Sequence, residues 1–271
     1  MIVFAGIVPH PPLALPEIGK EDSKKVKKTA DALERLAEGL NLADPDTIIV
    51  VSPHMVHYPH LFNVCGMPKL SGTFEGFGWI DYHFDGKNDT KLAAEIVDKS
   101  ENSGLPAILY DNGDTEYELD HGVMVPLHFL LGKIEHSVKI LPMGYSIASR
   151  AEHFAFGQVI SEVCNKKSSN RIAIIASGDL SHRLLDTPPA GEKTNGREFD
   201  KELIASLKKG DEYSILNMDE EFVEKAGECG YRSILIMLGA ISGRNYAPKL
   251  YSYEGPFGVG YAVFDMGIEE I

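Results

Sequence analysis

Cysteine is scarce in this sequence, and what there is comes unpaired. Cys65, Cys164 and Cys229 are odd in number and widely spaced, and no CxxC occurs. That excludes a disulfide framework and a zinc ribbon, and suits a reducing, cytoplasmic setting. Long apolar runs are also missing: nothing approaches the roughly 18 residues needed to span a bilayer. The N-terminal stretch MIVFAGIVPH is apolar, but it has no basic flank and runs straight into Pro11 and Pro12. It reads as a buried strand, not a signal peptide. Positive charge is in deficit, with 26 Lys and Arg against 40 Asp and Glu and a formal charge of −14. Phosphate backbones and anionic membrane surfaces would be repelled, so neither nucleic acid nor membrane is expected as a partner. Internal repeats, low-complexity tracts and long Gly/Ser linkers are absent, so nothing marks a boundary and residues 1–271 read as one domain.

What is present is ordinary globular composition, 44% hydrophobic and 24% charged, with short β-branched runs alternating with longer amphipathic stretches. That pattern predicts an α/β fold with a central, mostly parallel sheet flanked by helices. Strands are expected at Ile2–Val8, Thr47–Ser52, Ala107–Tyr110, Val138–Gly144 and Arg171–Ser177, with a final pair near Ala247–Tyr253 and Gly258–Asp265. Helices are expected at Lys20–Leu40, Lys91–Ser100, Gly122–Leu131, Ser149–Cys164, Gly196–Lys208 and Ser233–Ile241. In the first of these, Leu33, Leu36, Ala37 and Leu40 recur at helical spacing and mark the face that packs on the sheet. Two stretches read as long loops: the Gly- and aromatic-rich Tyr58–His83, and Leu184–Asn195 with its two prolines.

Three of the ten histidines follow directly on predicted strands: His10 after IVFAGIVP, His54 after TIIVVSP and His182 after RIAIIASGDLS. In an open α/β sheet the carboxyl ends of the strands border the ligand crevice, so these residues can converge despite their separation in sequence. Two imidazoles plus one carboxylate make an open metal site with positions left for substrate. The segment Ala226-Gly227-Glu228-Cys229-Gly230 offers a third ligand, and from spacing alone Glu228 and Cys229 are equal candidates. His121, behind Asp120 at the start of an apolar helix, reads equally as an acid/base group or as a capped helix terminus. His57 and His60 do not fit H-E-x-x-H and read as loop residues. His83, His128, His136 and His153 read as structural or exposed, and Arg183 and Arg232 as surface or structural arginines that could also pair a carboxylated ring.

Taken together, Val8-Pro9-His10-Pro11-Pro12, Ser52-Pro53-His54, Asp120-His121-Gly122, Ser177-Gly178-Asp179-Leu180-Ser181-His182 and Glu228-Cys229-Gly230 resemble the class III extradiol ring-cleavage dioxygenases. The resemblance is to the LigB-type catalytic B subunit of protocatechuate 4,5-dioxygenase and to the related Memo proteins, and it runs in order from the first strand to about Gly239. It implies ferrous iron held by His10, His54 and Glu228, with His121 and His182 as further active-site histidines and His182 as the acid/base group. The implied reaction is oxygen-dependent opening of a catechol-type aromatic diol beside its hydroxyls. It also implies a homo-oligomer or a small partner subunit.

Memo-like relatives place a cysteine where the dioxygenases have the carboxylate. Were Cys229 the ligand, copper or zinc would replace iron, and a redox or partner-binding role would replace ring cleavage. Zinc-dependent amide hydrolysis at the same ligands is a third, weaker reading. Such relatives also occur fused to or encoded beside AMMECR1-like and radical-SAM proteins, and this sequence is expected to carry no such added domain.

Overall fold

The fold is described from a computed structural model covering residues 1–166, 170–185 and 195–269. Its strands are β1 (Ile2–Val8), β2 (Thr47–Val51), β3 (Phe62–Cys65), β4 (Lys69–Phe74), β5 (Trp79–Lys87), β6 (Ala107–Tyr110), β7 (Glu116–Glu118), β8 (Lys139–Gly144), β9 (Ile172–Ser177), β10 (Lys249–Glu254) and β11 (Tyr261–Asp265). Its helices are α1 (Pro16–Gly19), α2 (Lys27–Leu42), α3 (Thr90–Asn102), α4 (His121–Leu130), α5 (Arg150–Lys166), α6 (Gly196–Lys209), α7 (Glu212–Leu216), α8 (Glu220–Ala226) and α9 (Tyr231–Ile241).

The main sheet runs β10-β11-β1-β9-β2-β8-β3-β6. Its centre, β1-β9-β2-β8, is parallel, while β11 and β3 join antiparallel on either side. The central runs IVFAGIV, TIIVV and IAIIAS are buried along their whole length, because both faces of a parallel sheet are covered; the polar Thr47 and Ser177 stand only at strand ends, each with a hydrogen-bond partner. One face packs against α3, α5, α6 and α9. The other packs against α2, α4 and a smaller sheet, β5-β4-β7. The predicted α/β fold with a mixed central sheet is therefore observed.

Two expectations need correction. The helix predicted from Lys20 starts as a 3₁₀ stretch, Lys20–Val26, and becomes α-helical only at Lys27. The Lys24–Glu21 and Lys25–Asp22 ion pairs, three residues apart, lie along that first stretch. The predicted loop Tyr58–His83 contains β3, β4 and the start of β5. Its many glycines hide the strand signal, but Leu70, Gly72 and Phe74 alternate inward against more exposed neighbours, which is a half-buried strand. Within the other predicted loop, Leu184–Asn195, residues 186–194 lie outside the described part.

Because β1, β9 and β2 are parallel neighbours, their carboxyl ends reach the same edge of the sheet. Val8 pairs with Ser177 and Val51 with Ala176, so the segments that follow these strands begin side by side.

Candidate metal centre

His10, His54 and His121 meet at that edge, with one ring nitrogen of each within 4.8 Å of the others. His10 Nε2 and His54 Nε2 are 3.0 Å apart, and the His54 and His121 rings lie 4.1 Å apart between centroids. His10 is buried, its backbone N–H donating to Asp179 Oδ1 and its Nδ1 lying 3.0 Å from Ser177 Oγ. His54 stands at the solvent edge, and its backbone N–H donates to Ser52 Oγ.

The first turn of α4 delivers His121. Asp120 caps that helix by accepting the Val123 N–H, and it also accepts the Ser52 hydroxyl at 2.6 Å. Ser177 Oγ donates to the Gly122 carbonyl at 2.5 Å. Two serines at the ends of two strands thus clamp one helix start to both histidine segments. Gly122 permits the approach, since a Cβ there would stand 2.5 Å from Ser52 Oγ and 3.1 Å from His54 Cδ2.

A second close approach brings in Cys229. Gly178 and Gly230 meet backbone to backbone: a Cβ on Gly178 would fall 2.1 Å from Gly230 Cα. The Cys229 and Gly230 N–H groups donate to the Asp179 carbonyl, and the Asp179 N–H donates to Cys229 Sγ at 3.2 Å. Sγ then lies 3.8 Å from His10 Nε2, and His10, Asp179 and Cys229 form a second group whose donor atoms lie within 4.8 Å of one another.

Glu228 faces elsewhere. Its carboxylate accepts the Tyr231 N–H at 2.5 Å at the start of α9, inside a cavity of about 340 Å³ shared with Arg150 and Arg232. Burial raises it to about 7, against the Tyr231 N–H, Arg232 and Arg150. Of the residues the sequence singles out, the structure brings together His10, His54 and His121. His182 lies close enough for its charge to lower both His10 and His54. In place of Glu228 it sets Cys229 against His10. Ser52, Ser177 and Asp179 were not assigned from sequence, although a Ser ending two strands just ahead of Pro-His and Gly-Asp was visible there.

The remaining histidines are dispersed. His57 Nε2 sits 2.5 Å from the Pro53 carbonyl, and His128 joins Phe74, Trp79 and Tyr82. His153 is buried with its two ring nitrogens at the Ser149 and Ser146 carbonyls, and His136 reaches Pro45 near the opposite edge of the sheet.

Burial, then the neighbouring His54, His121 and His182, pushes His10 well below the usual imidazole range. Partial burial and then His121, His57 and His182 take His54 down to about 4, and His121 and His182 are lowered by burial as well. All four are neutral at physiological pH, with lone pairs to offer. Asp179 is raised by burial to about 7 and the Cys229 thiol is pushed up by burial and by Asp179. A cation among these groups would reverse both shifts. Neutral imidazoles converging on a half-buried sulfur and a buried carboxyl fit a transition-metal ion.

Residues 5–264 match the family described as the catalytic LigB subunit of aromatic ring-opening dioxygenase. The chain belongs to the LigB family. Protein CA_C1420 of Clostridium acetobutylicum is 34% identical over 265 residues, which are 96% of this chain and 56% of that protein. The LigB chain described here thus spans little more than half the length of that relative. A MEMO1 family protein of Methanosarcina barkeri is 28% identical over 77% of this chain and 78% of its own. The 3,4-dihydroxyphenylacetate 2,3-dioxygenase of Escherichia coli is 24% identical over 64% and 63%. An uncharacterized Escherichia coli K12 protein of known crystal structure shares the fold, with a TM-score of 0.67 at 17% identity over 98% of this chain and 100% of its own. Among the described residues no helix is long and apolar enough to cross a membrane.

Proposed function

We propose that this LigB chain is a dioxygenase-like oxidoreductase with Memo-like ligation, in which His10, His54 and Cys229 hold one transition-metal ion and His121 and His182 stand beside it. The observation carrying this reading is the orientation of one loop: Cys229 Sγ lies against His10 while the Glu228 carboxylate is engaged by the Tyr231 N–H. A thiolate with two imidazoles is a softer donor set than a carboxylate with two imidazoles, and it favours copper or zinc over ferrous iron. Such an ion supplies Lewis acidity and, when redox-active, a path for electrons to or from a small substrate. The chain's own groups do the rest. Asp179 fixes the His10 backbone and donates its own N–H to the sulfur, which favours thiolate. Neutral His121 and His182 can each accept a proton from an acidic hydroxyl. Phe77, in the turn after β4, presents its ring 5.5 Å from His121 and offers an aromatic wall.

Fe(II)-dependent extradiol cleavage of an aromatic diol by dioxygen is the second reading. The family match and the dioxygenase-named relatives favour it. It requires Glu228 to release the Tyr231 N–H and turn toward His10.

Metal content separates the two. Metal-free protein is loaded with Cu(I), Zn(II) or, anaerobically, Fe(II), and bound metal is measured in wild type, Cys229→Ala and Glu228→Ala. The proposal expects Cys229→Ala to lose metal and Glu228→Ala to keep it. The opposite result, with oxygen uptake and a yellow ring-opened product from a catechol panel, would return the site to carboxylate ligation.

A further inference from the structure

The Gly122 carbonyl oxygen has no hydrogen to give, and that fact sets the direction of a chain of hydrogen bonds running through the site. Ser177 Oγ is 2.5 Å from this oxygen and must spend its only proton there. The contact of 3.0 Å between Ser177 Oγ and His10 Nδ1 then requires the proton to sit on the ring nitrogen. A neutral His10 with a proton on Nδ1 has a lone pair on Nε2. That nitrogen is 3.0 Å from His54 Nε2, a separation that in the metal-free protein suits one N–H and one lone pair and neither two protons nor two lone pairs. His54 must therefore carry its proton on Nε2. Cys229 Sγ lies 3.8 Å from His10 Nε2, with its thiol directed to the Asp179 carbonyl, also at 3.8 Å.

We infer that Ser177 is a positioning residue that locks His10 as its Nδ1–H tautomer, presenting Nε2 ready for a metal, and that His54 holds the opposite tautomer and must shift its proton from Nε2 to Nδ1 when metal enters. This rests on the metal reading above for its purpose, though not for its geometry. The difference between the histidines follows from their places in the fold. His10 is 3% exposed and enclosed by β9 and the start of α4, so its tautomer is set by protein. His54 stands at the solvent edge, where water can take the proton from one ring nitrogen and return it to the other. Groups that orient a ligating histidine commonly alter metal affinity 10- to 100-fold when removed.

Nitrogen-15 NMR of the imidazoles in the metal-free full chain, followed by titration with Zn(II), tests this directly. The expected spectrum shows His10 as Nδ1–H and His54 as Nε2–H, with zinc converting His54 to Nδ1–H and leaving His10 unchanged. Ser177→Ala should give His10 mixed tautomers and weaken zinc binding about 10- to 100-fold, and Ser177→Thr, which keeps the hydroxyl, should restore both. An Nε2–H His10 in the wild-type metal-free protein overturns the proposal, even if Ser177→Ala does not fold. So does a folded Ser177→Ala with unchanged His10 tautomer and zinc affinity. Wild type that shows the expected tautomers yet takes up no zinc removes the metal reading and leaves the hydrogen-bond chain standing.

Discussion

The two sides of the site are built differently. On the β1–β9 side, His10, Ser177, Asp179 and the Gly178–Gly230 contact are buried, and hydrogen bonds tie His10 to both Ser177 and Asp179. On the β2 side, His54 and the segment after it, with Val56, His57 and His60, face solvent. Under the proposed metal reading the difference would separate two tasks: the buried side would hold its donors in place, and the exposed side would admit metal, water and substrate. Substitutions on the first side should therefore cost stability as well as metal binding, while those on the second should cost metal binding alone.

The largest expected effect comes from Gly178→Ala. Its methyl would collide with Gly230 backbone, which cannot swing aside like a flexible side chain. We expect a loss of about 3 kcal/mol or more in chemical denaturation, together with loss of metal as Cys229 is displaced. Gly76→Ala, where a Cβ meets nothing within 4 Å, should change stability by less than about 0.5 kcal/mol. Equal losses in the two variants would erase the proposed contrast.

Next is Asp200, which accepts the Ser181 N–H beside His182 and the Tyr253 hydroxyl on the same buried side. Burial outweighs both donors and raises it to about 6 from the model-peptide value of 3.8. A carboxyl whose folded pKa is raised favours the fold when protonated; that contribution is complete below about pH 4 and is lost as pH climbs through about 6. The histidines, depressed in the fold, act in the opposite sense and lose stability as pH falls below about 6.5. The informative quantity is therefore the stability of wild type minus that of Asp200→Asn. It should fall by roughly 2 to 3 kcal/mol between pH 4 and 7. A flat difference across that range would show that burial does not govern this carboxyl.

The smallest effect separates the histidines themselves. His10→Ala removes a buried ring and strips Ser177 of its donor, at an expected cost of about 1 to 3 kcal/mol, whereas His54→Ala should cost under about 1 kcal/mol. Both should abolish metal retention. Thermal unfolding of the metal-free variants, measured side by side, checks the ranking.

Much of this architecture could be read from the chain. The fully buried strands β1, β2 and β9 announce themselves as unbroken β-branched runs, and the histidines that follow them inherit their position from parallel pairing. The small sheet did not, because Gly66, Gly72, Gly76 and Gly78 give a strand and its turn the composition of a loop. The choice between Glu228 and Cys229 was illegible for another reason. Glu228 and Cys229 are neighbours, and which one faces His10 depends on how Gly230 seats against Gly178, 52 positions earlier in the chain. No local pattern carries that information. The serine pair was legible in part: both hydroxyls could be seen ahead of the histidines, but not the helix start that they grip.

The contact between Cys229 and His10 joins residues 219 positions apart. An ion held there would act as a bracket between the segment after β1 and the turn before α9, two parts of the chain that meet through the Gly178–Gly230 contact. Its binding free energy would be paid out only to the completed structure, about 2.7 kcal/mol at a metal concentration 100 times the dissociation constant. For this chain, then, loading with metal would also be a report that folding has finished.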